Sequence, residues 1–281
     1  MPMVSMKGML EDARRGGYAL GAFEFWSFNS ARAVIESAKE RSLPAILQIC
    51  PEETEFFGYK NVFLLAQIME QNTSLPFALH LDHAASVDQI RRALDAGFTS
   101  VMIDASSLPF EENAAKTAQV VELARRYGAC VEAELGHVGG AEGGLGESGS
   151  VLTDPAEARE FAALTGVDCL AVSIGTVHGV YKAEPRLNIE TLKEISSRVA
   201  IPLVLHGGSG TPEKALREAI RNGIAKINIC TDLLVAESAP IAAAVADASF
   251  RYTIMGLQKP SYEAEKRVVG QKMDLFALRQ Q

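Results

Sequence analysis

Cysteine is scarce in this 281-residue chain: only Cys50, Cys130, Cys169 and Cys230, with no Cys-x-x-Cys pair among them. Such usage fits buried or pocket thiols in a reduced, cytoplasmic protein. No apolar run approaches the roughly 18 residues that a membrane-spanning helix needs. Residues 1–7 hold no apolar segment with a cleavage site, so no secretory signal is expected. Basic clusters are also missing, and the net charge is −8. That argues against nucleic acid or an anionic membrane as a main partner. Histidine is rare as well, with five in the chain.

What the chain does have is regular punctuation. Apolar, β-branched runs recur at 18–25, 44–50, 76–83, 100–105, 130–136, 169–176, 202–206 and 225–231. Near-continuous hydrophobicity suits parallel strands covered on both faces. Helix-like stretches lie between them at 29–41, 61–71, 86–96, 110–127, 154–165, 189–199 and 212–222. Ser86 and Thr153-Asp-Pro-Ala read as helix starts, and Gly97, Gly166 and Gly223 as stops. Eight β-α alternations predict a single (β/α)8 TIM barrel over residues 1–281, with a doubly wound open sheet as the alternative. A helical extension is expected over about 246–281, where 262–275 is amphipathic, packed outside the barrel or on another subunit. The glycine-rich segment from Gly139 to Ser150 cannot pack a core of its own. It reads as a mobile lid over about 137–152, above the mouth of the barrel, or as a surface insertion.

Three of the five histidines close strand-like runs. His83 ends Pro76-Phe-Ala-Leu-His-Leu-Asp-His83, and His178 follows Cys169-Leu-Ala-Val-Ser-Ile-Gly-Thr-Val. His206 ends Pro202-Leu-Val-Leu-His206 and leads into Gly207-Gly-Ser-Gly210. In a barrel, C-terminal strand ends converge on one pocket, and three histidines with an open fourth position are a catalytic zinc pattern. Asp82, beside the first ligand, reads as a general acid or base, or as a carboxylate that orients a histidine. The Gly207–Gly210 turn before Thr211-Pro212, with 226–231 beside it, occupies the barrel's recurrent phosphate position. These residues point to a metal enzyme acting on a phosphorylated small molecule. His80 reads as a core hydrogen-bonding residue, and His137 is given no role.

At these positions the chain resembles the zinc-dependent, class II ketose-bisphosphate aldolases, which include the fructose- and tagatose-bisphosphate enzymes. The matching segments are His80-Leu-Asp-His-Ala84, Val101-Met-Ile-Asp104, Glu132-Ala-Glu-Leu-Gly136 with Gly139-Gly140, Gly175-Thr-Val-His-Gly-Val-Tyr181, Leu205-His-Gly-Gly-Ser-Gly210, and Lys226-Ile-Asn-Ile with Thr231. The likeness runs from about Val4 to Phe276. It implies a lyase that splits a ketose 1-phosphate or 1,6-bisphosphate into dihydroxyacetone phosphate and an aldehyde. His83, His178 and His206 match the zinc ligands, and Asp82 the acid/base at the aldol hydroxyl. Glu142 matches the loop carboxylate that exchanges a proton at the nucleophilic carbon. Gly179, Gly207, Gly208, Ser209, Asn228, Ile229, Cys230 and Thr231 match the triose-phosphate site. Carbonyls of Val177, Gly179 and Gly207 match a monovalent cation site for Na+ or K+, and Asp104 and Glu134 a second metal position. The resemblance suggests a homodimer or homotetramer.

The departures lie where the rest of the sugar would sit. Glu24 stands where the family commonly has Asn, Cys50 where it has a small or hydroxylic residue, and Cys230 where the fructose enzymes often carry Asp. The distal-phosphate Arg has no clear equal; Lys259 aligns there, and Arg251 is the other basic residue nearby. An aldehyde half different from glyceraldehyde 3-phosphate is expected. Two other functions stay open: a sugar-phosphate isomerase or hydrolase on a barrel, and a non-catalytic, sugar-phosphate-binding subunit of the aldolase fold.

Overall fold

The computed structural model describes residues 2–142, 145–181 and 183–278, with side chains for all of these except 141–142 and 145–148. Its strands are β1 (Leu20–Glu24), β2 (Ala45–Ile49), β3 (Phe77–Ala84), β4 (Ser100–Ile103), β5 (Cys130–Leu135), β6 (Gly140–Glu142), β7 (Leu145–Ser148), β8 (Cys169–Val172), β9 (Leu203–Leu205) and β10 (Ile224–Ile229). The helices are α1 (Met6–Gly16), α2 (Phe28–Arg41), α3 (Pro51–Phe57), α4 (Tyr59–Gln71), α5 (Val87–Ala96), α6 (Phe110–Arg125), α7 (Pro155–Thr165), α8 (Ile189–Arg198), α9 (Glu213–Arg221), α10 (Thr231–Ala246) and α11 (Ile254–Phe276).

Eight parallel strands close into a barrel in the order β1-β10-β9-β8-β5-β4-β3-β2. This is the expected (β/α)8 barrel rather than an open sheet. Caps fall where the sequence places them. Ser27 and Ser86 form capping boxes with Ser30 and Gln89, and Asp154 caps α7 ahead of Pro155. Gly17, Gly97 and Gly166 close helices in the left-handed region.

Strand alternation splits the apolar side chains into two sets. Phe23, Leu47, Leu79, Val101, Val131, Leu170, Leu205 and Ile227 face outward and pack under the helices. Ile46, Ala78, Cys130, Cys169 and Val204 point inward near the N-terminal end of the barrel. There α1 closes the barrel with Met6, Met9, Leu10 and Ala13, all buried. Above this apolar floor the inward positions turn polar: His80, Glu132 and Lys226, then Gln48, Asp82, Glu134 and Asn228, all buried. The floor therefore seals one end, and polar chemistry is confined to the other.

Three expectations need correction. The segment read as an irregular lid is an antiparallel hairpin, β6–β7, whose base is pinned by paired His137 and Val151 backbones. Backbone pairing supplies the order that glycine side chains cannot. The C-terminal helical extension begins at Thr231, as α10, rather than near 246. Its second helix, α11, packs along α2 and α10. Cys50 and Cys230 cap the helices that follow β2 and β10 instead of lying within strands.

Two stability predictions follow from packing. Leu10→Ala empties part of the fully buried barrel floor and should cost about 2–5 kcal/mol in urea unfolding. Glu265, buried on α11 with Oε1 lacking a hydrogen-bond partner, has its carboxyl pushed up to about 8 by burial and by Glu237. Unfolded, it ionises at the ordinary value of 4.5, so between 4.5 and about 8 the folded state binds more protons. Stability from this group therefore falls as pH rises through that window. Glu265→Gln should flatten the pH dependence and raise stability at pH ~8.5 by on the order of 1 kcal/mol or more in unfolding titrations.

Candidate active site

His83 ends β3 at a register shift with β4, and its φ of 45° is left-handed. Such backbone costs about 1–3 kcal/mol and is held only where the surroundings impose it. His178 lies in the loop after β8, its N–H bonded to Gly139 O at 2.8 Å. His206 directly follows β9 and is fully buried. The ring centroids stand 4.6 Å apart for His83 and His206, 5.0 Å for His83 and His178, and 5.6 Å for His178 and His206. One ring nitrogen from each lies within 4.8 Å of the others, so the three can share one ion.

Two of the three histidines carry a carboxylate on one ring nitrogen. His83 Nδ1 bonds Asp104 Oδ2 at 2.9 Å, and His206 Nε2 bonds Glu132 Oε1 at 2.9 Å. A carboxylate behind a histidine fixes its tautomer and aims its other nitrogen, which is how metal sites are built. His206 Nδ1 is buried with no hydrogen-bond partner, its nearest carboxylate being Glu134 Oε2 at 3.5 Å. This donor set fits a divalent cation, zinc included.

Asp82 sits beside the triad, fully buried, with Oδ2 at 3.8 Å from His83 Nε2. That oxygen accepts from Gln48 Nε2 at 3.1 Å and Asn228 Nδ2 at 2.9 Å, while Oδ1 has no hydrogen-bond partner. Burial opposes its charge, but His83 and Lys226 hold the carboxyl well below the usual range. Asp82 is thus an ionised, oriented carboxylate whose Oδ1 lies 3.4 Å from His80 Nε2. Asp104 and Glu134 lie with His83 in one group of ligand atoms within 4.8 Å. Burial and Asp104 raise the Glu134 carboxyl to about 8, and its Oε1 accepts the Val138 N–H at 2.9 Å.

The residues expected to form a phosphate site carry internal duties. Gly207 is left-handed (φ 67°), and a Cβ at Gly208 would stand 2.8 Å from Asn228 O. Close packing alone therefore demands both glycines. The Gly208 N–H donates to Asn228 O, and the Gly210 N–H to the Asp232 carboxylate. Ser209 Oγ accepts from Cys230 N and Asp232 N, tying the two loops together. The Gly207 carbonyl accepts from Tyr181 and Thr211 hydroxyls at 2.8 and 2.9 Å, which uses both its lone pairs and leaves little for a monovalent cation. Ile229 packs in the outer core, so only its backbone can reach a ligand. Gly179 (φ 88°) follows His178, and Thr231 opens α10.

Glu24, at the end of β1, accepts the Cys50 N–H at 2.7 Å, and Glu53 joins them within 4.8 Å. Two carboxylates and a thiol thus meet where β1 and β2 end. Lys259 lies on the surface. It is exposed on α11, in a shallow groove with Asn29, Arg32, Gln258 and Glu263, none of which belongs to the histidine cluster. Helix α11 turns that face outward because its opposite face packs on α2. Arg251 is exposed too. Glu142 ends β6, but its side chain lies outside the described residues. His80 is the expected core residue, with Nδ1 on Ser100 Oγ at 2.8 Å. His137 bonds Ser106 Oγ at 2.9 Å.

Gln48, Glu132 and Lys226 were not assigned site roles from sequence. The available signal is polar residues at alternate positions of otherwise apolar strands, such as Glu132 and Glu134 on β5 or Lys226 and Asn228 on β10.

The profile of the family described as "Fructose-bisphosphate aldolase class-II" matches residues 4–281. The chain belongs to this family. The probable fructose-bisphosphate aldolase of Bacillus subtilis is 41% identical over 279 residues, covering 98% of each chain. The fructose-bisphosphate aldolase of Staphylococcus aureus gives the same figures, 41% over 279 residues and 98% of each chain. Among solved structures, the YdjI aldolase from Escherichia coli K12 superposes with a TM-score of 0.87 at 33% identity, covering 98% of this chain and 97% of that one. Class II aldolase membership gives the converging histidines a chemical context and gives Asp82 a reaction to serve.

Among the described residues, the hairpin meets the histidine cluster through backbone at Gly139 and Gly140. A Cβ on Gly140 would fall on the His178 carbonyl oxygen and 2.6 Å from its nitrogen, at a φ of +107°. Gly140→Ala should push the hairpin off His178 and lower turnover roughly tenfold or more, with far-UV circular dichroism unchanged.

Proposed function

We propose that this protein is a metal-dependent aldolase that reversibly cleaves a ketose 1-phosphate or 1,6-bisphosphate to dihydroxyacetone phosphate and an aldehyde. The observation that carries this reading is the oriented Asp82 carboxylate beside three convergent histidines in a chain of this family. His83, His178 and His206 would hold one Zn2+. The bound ion supplies Lewis-acid charge stabilisation at the oxygens of the triose half.

The residues of the chain do the proton work. The Asp82 carboxylate would take the proton from the hydroxyl on the carbon that becomes the aldehyde. As that O–H bond breaks, the C=O forms and the C–C bond releases its electron pair toward the triose carbonyl. Gln48 and Asn228 hold Oδ2 and His80 Nε2 lies 3.4 Å from Oδ1, so the carboxylate keeps one orientation. Glu142 would return a proton to the triose carbon as the β6–β7 hairpin covers the site and excludes water. The turns at 207–210 and 228–231, with Gly179, would seat the triose phosphate. Asp104 and Glu134 would serve a second metal position or orient the histidines.

The aldehyde half is read from Glu24, Cys50 and Glu53. Two carboxylates at the β1 and β2 ends disfavour a second phosphate and suit sugar hydroxyls. Reduced cysteines, none disulfide-bonded, support a cytoplasmic setting. No helix among the described residues is long and apolar enough to cross a membrane. Exposed Leu234, Val235, Ile241 and Val245 on α10, with Ile254 and Met255 on α11, support a homodimer or homotetramer. The whole chain would work as one barrel domain.

The direct test is a coupled assay for dihydroxyacetone phosphate across a panel of ketose phosphates. Asp82→Ala should lower turnover by roughly 10²–10⁴-fold, while zinc content stays at one ion per chain. No triose phosphate from any ketose phosphate, or unchanged turnover in Asp82→Ala, contradicts the reading.

A further inference from the structure

The barrel interior holds a charged pair that the cleavage reaction does not use. Glu132 on β5 and Lys226 on β10 are both fully buried, with Lys226 Nζ 2.8 Å from Glu132 Oε2. The other carboxylate oxygen, Oε1, is 2.9 Å from His206 Nε2. One carboxylate therefore bridges an ammonium and an imidazole. We propose that Glu132 and Lys226 are a positioning couple that selects the metal-binding nitrogen of His206; this rests on the reading that His206 is a metal ligand.

The reasoning is one of hydrogen-bond polarity. An ionised carboxylate only accepts, so the His206 nitrogen facing it must carry the N–H. A neutral imidazole has one N–H, which leaves Nδ1 with the lone pair. Nδ1 is the nitrogen that is buried in the cluster with no hydrogen-bond partner. Lys226 supplies the balancing charge. A lone carboxylate inside the barrel would be strongly unfavourable, whereas a paired one is tolerated. Lys226 also fixes the carboxylate's rotation by holding Oε2, so that Oε1 meets the ring. Neither residue needs to touch substrate. Lys226 lies two residues below Asn228 on the same strand face, one layer beneath Asp82.

Asp104 holds His83 in the same manner, but among the described residues it pairs with no lysine or arginine and accepts from Ser106 instead. The Glu132–Lys226 couple is built into the core. It links the folding of β5, β9 and β10 to the quality of the metal site.

The test reads metal affinity rather than activity. Zinc binding is measured for wild type, Glu132→Gln and Lys226→Met by competition with a chromophoric chelator. Each variant should bind zinc roughly 10–100-fold more weakly, the usual effect of losing a group that orients a metal ligand. The double variant should show less than the sum of the two losses, because both act through one hydrogen bond. Leu10→Ala, which destabilises the barrel floor without touching His206, should keep wild-type affinity. Variants that lose stability but bind zinc as wild type does would overturn the proposal. A second measurement needs no variant. Histidine 15N NMR of the metal-free wild type should place the His206 proton on Nε2, and a proton on Nδ1 overturns the couple. Wild type that binds no divalent metal would instead defeat the proposed function itself.

Discussion

A carboxylate buried in a barrel must be matched by a cation or a donor, and Glu132 is matched by both. Its ties to Lys226 and His206 join three strands in the most enclosed part of the molecule. Burying an ion pair brings little net stability, because desolvation offsets the attraction. A hydrophobic layer would serve the fold as well or better. The polar layer above the α1 floor is therefore a feature of the site, carried by an apolar outer shell that supplies the folding energy. Loss of either partner leaves an uncompensated charge and releases a metal ligand together, so stability and chemistry are coupled at this point.

The same division explains the hierarchy of the site. His83 and His206 are oriented by carboxylates, Asp82 is oriented by Gln48 and Asn228, and the loops are oriented by each other through Ser209. Few of these side chains rely on solvent for alignment. The triose end is thus preorganised, as electrostatic catalysis requires. The far end, around Glu24, Cys50 and Glu53, is built from different groups, and the proposed choice of aldehyde would be made there.

Much of the fold was legible because a parallel barrel writes it locally. Strands such as β3 and β5 are short apolar runs, and capped amphipathic helices such as α5 repeat between them. The histidine triad was legible because strand ends converge wherever a barrel closes. The missed parts depend on distant partners. Glu132 and His206 are 74 residues apart, and no local pattern announces their bond. Helix α10, rich in small apolar residues, lacks a clear 3.6-residue face and merges with the end of β10. The β6–β7 hairpin is ordered by backbone contacts to His178, which glycine-rich sequence does not display. For Lys259, the alignment fixes its place on α11 but not which face of that helix packs and which is exposed.

The central claim is that metal held by His83, His178 and His206 is required for cleavage of a ketose phosphate. It is tested most directly by stripping the protein with a chelator and assaying triose phosphate release before and after zinc is restored. The account predicts that activity disappears with the metal and returns with one equivalent per chain. Undiminished release of dihydroxyacetone phosphate from fully metal-free protein would contradict it.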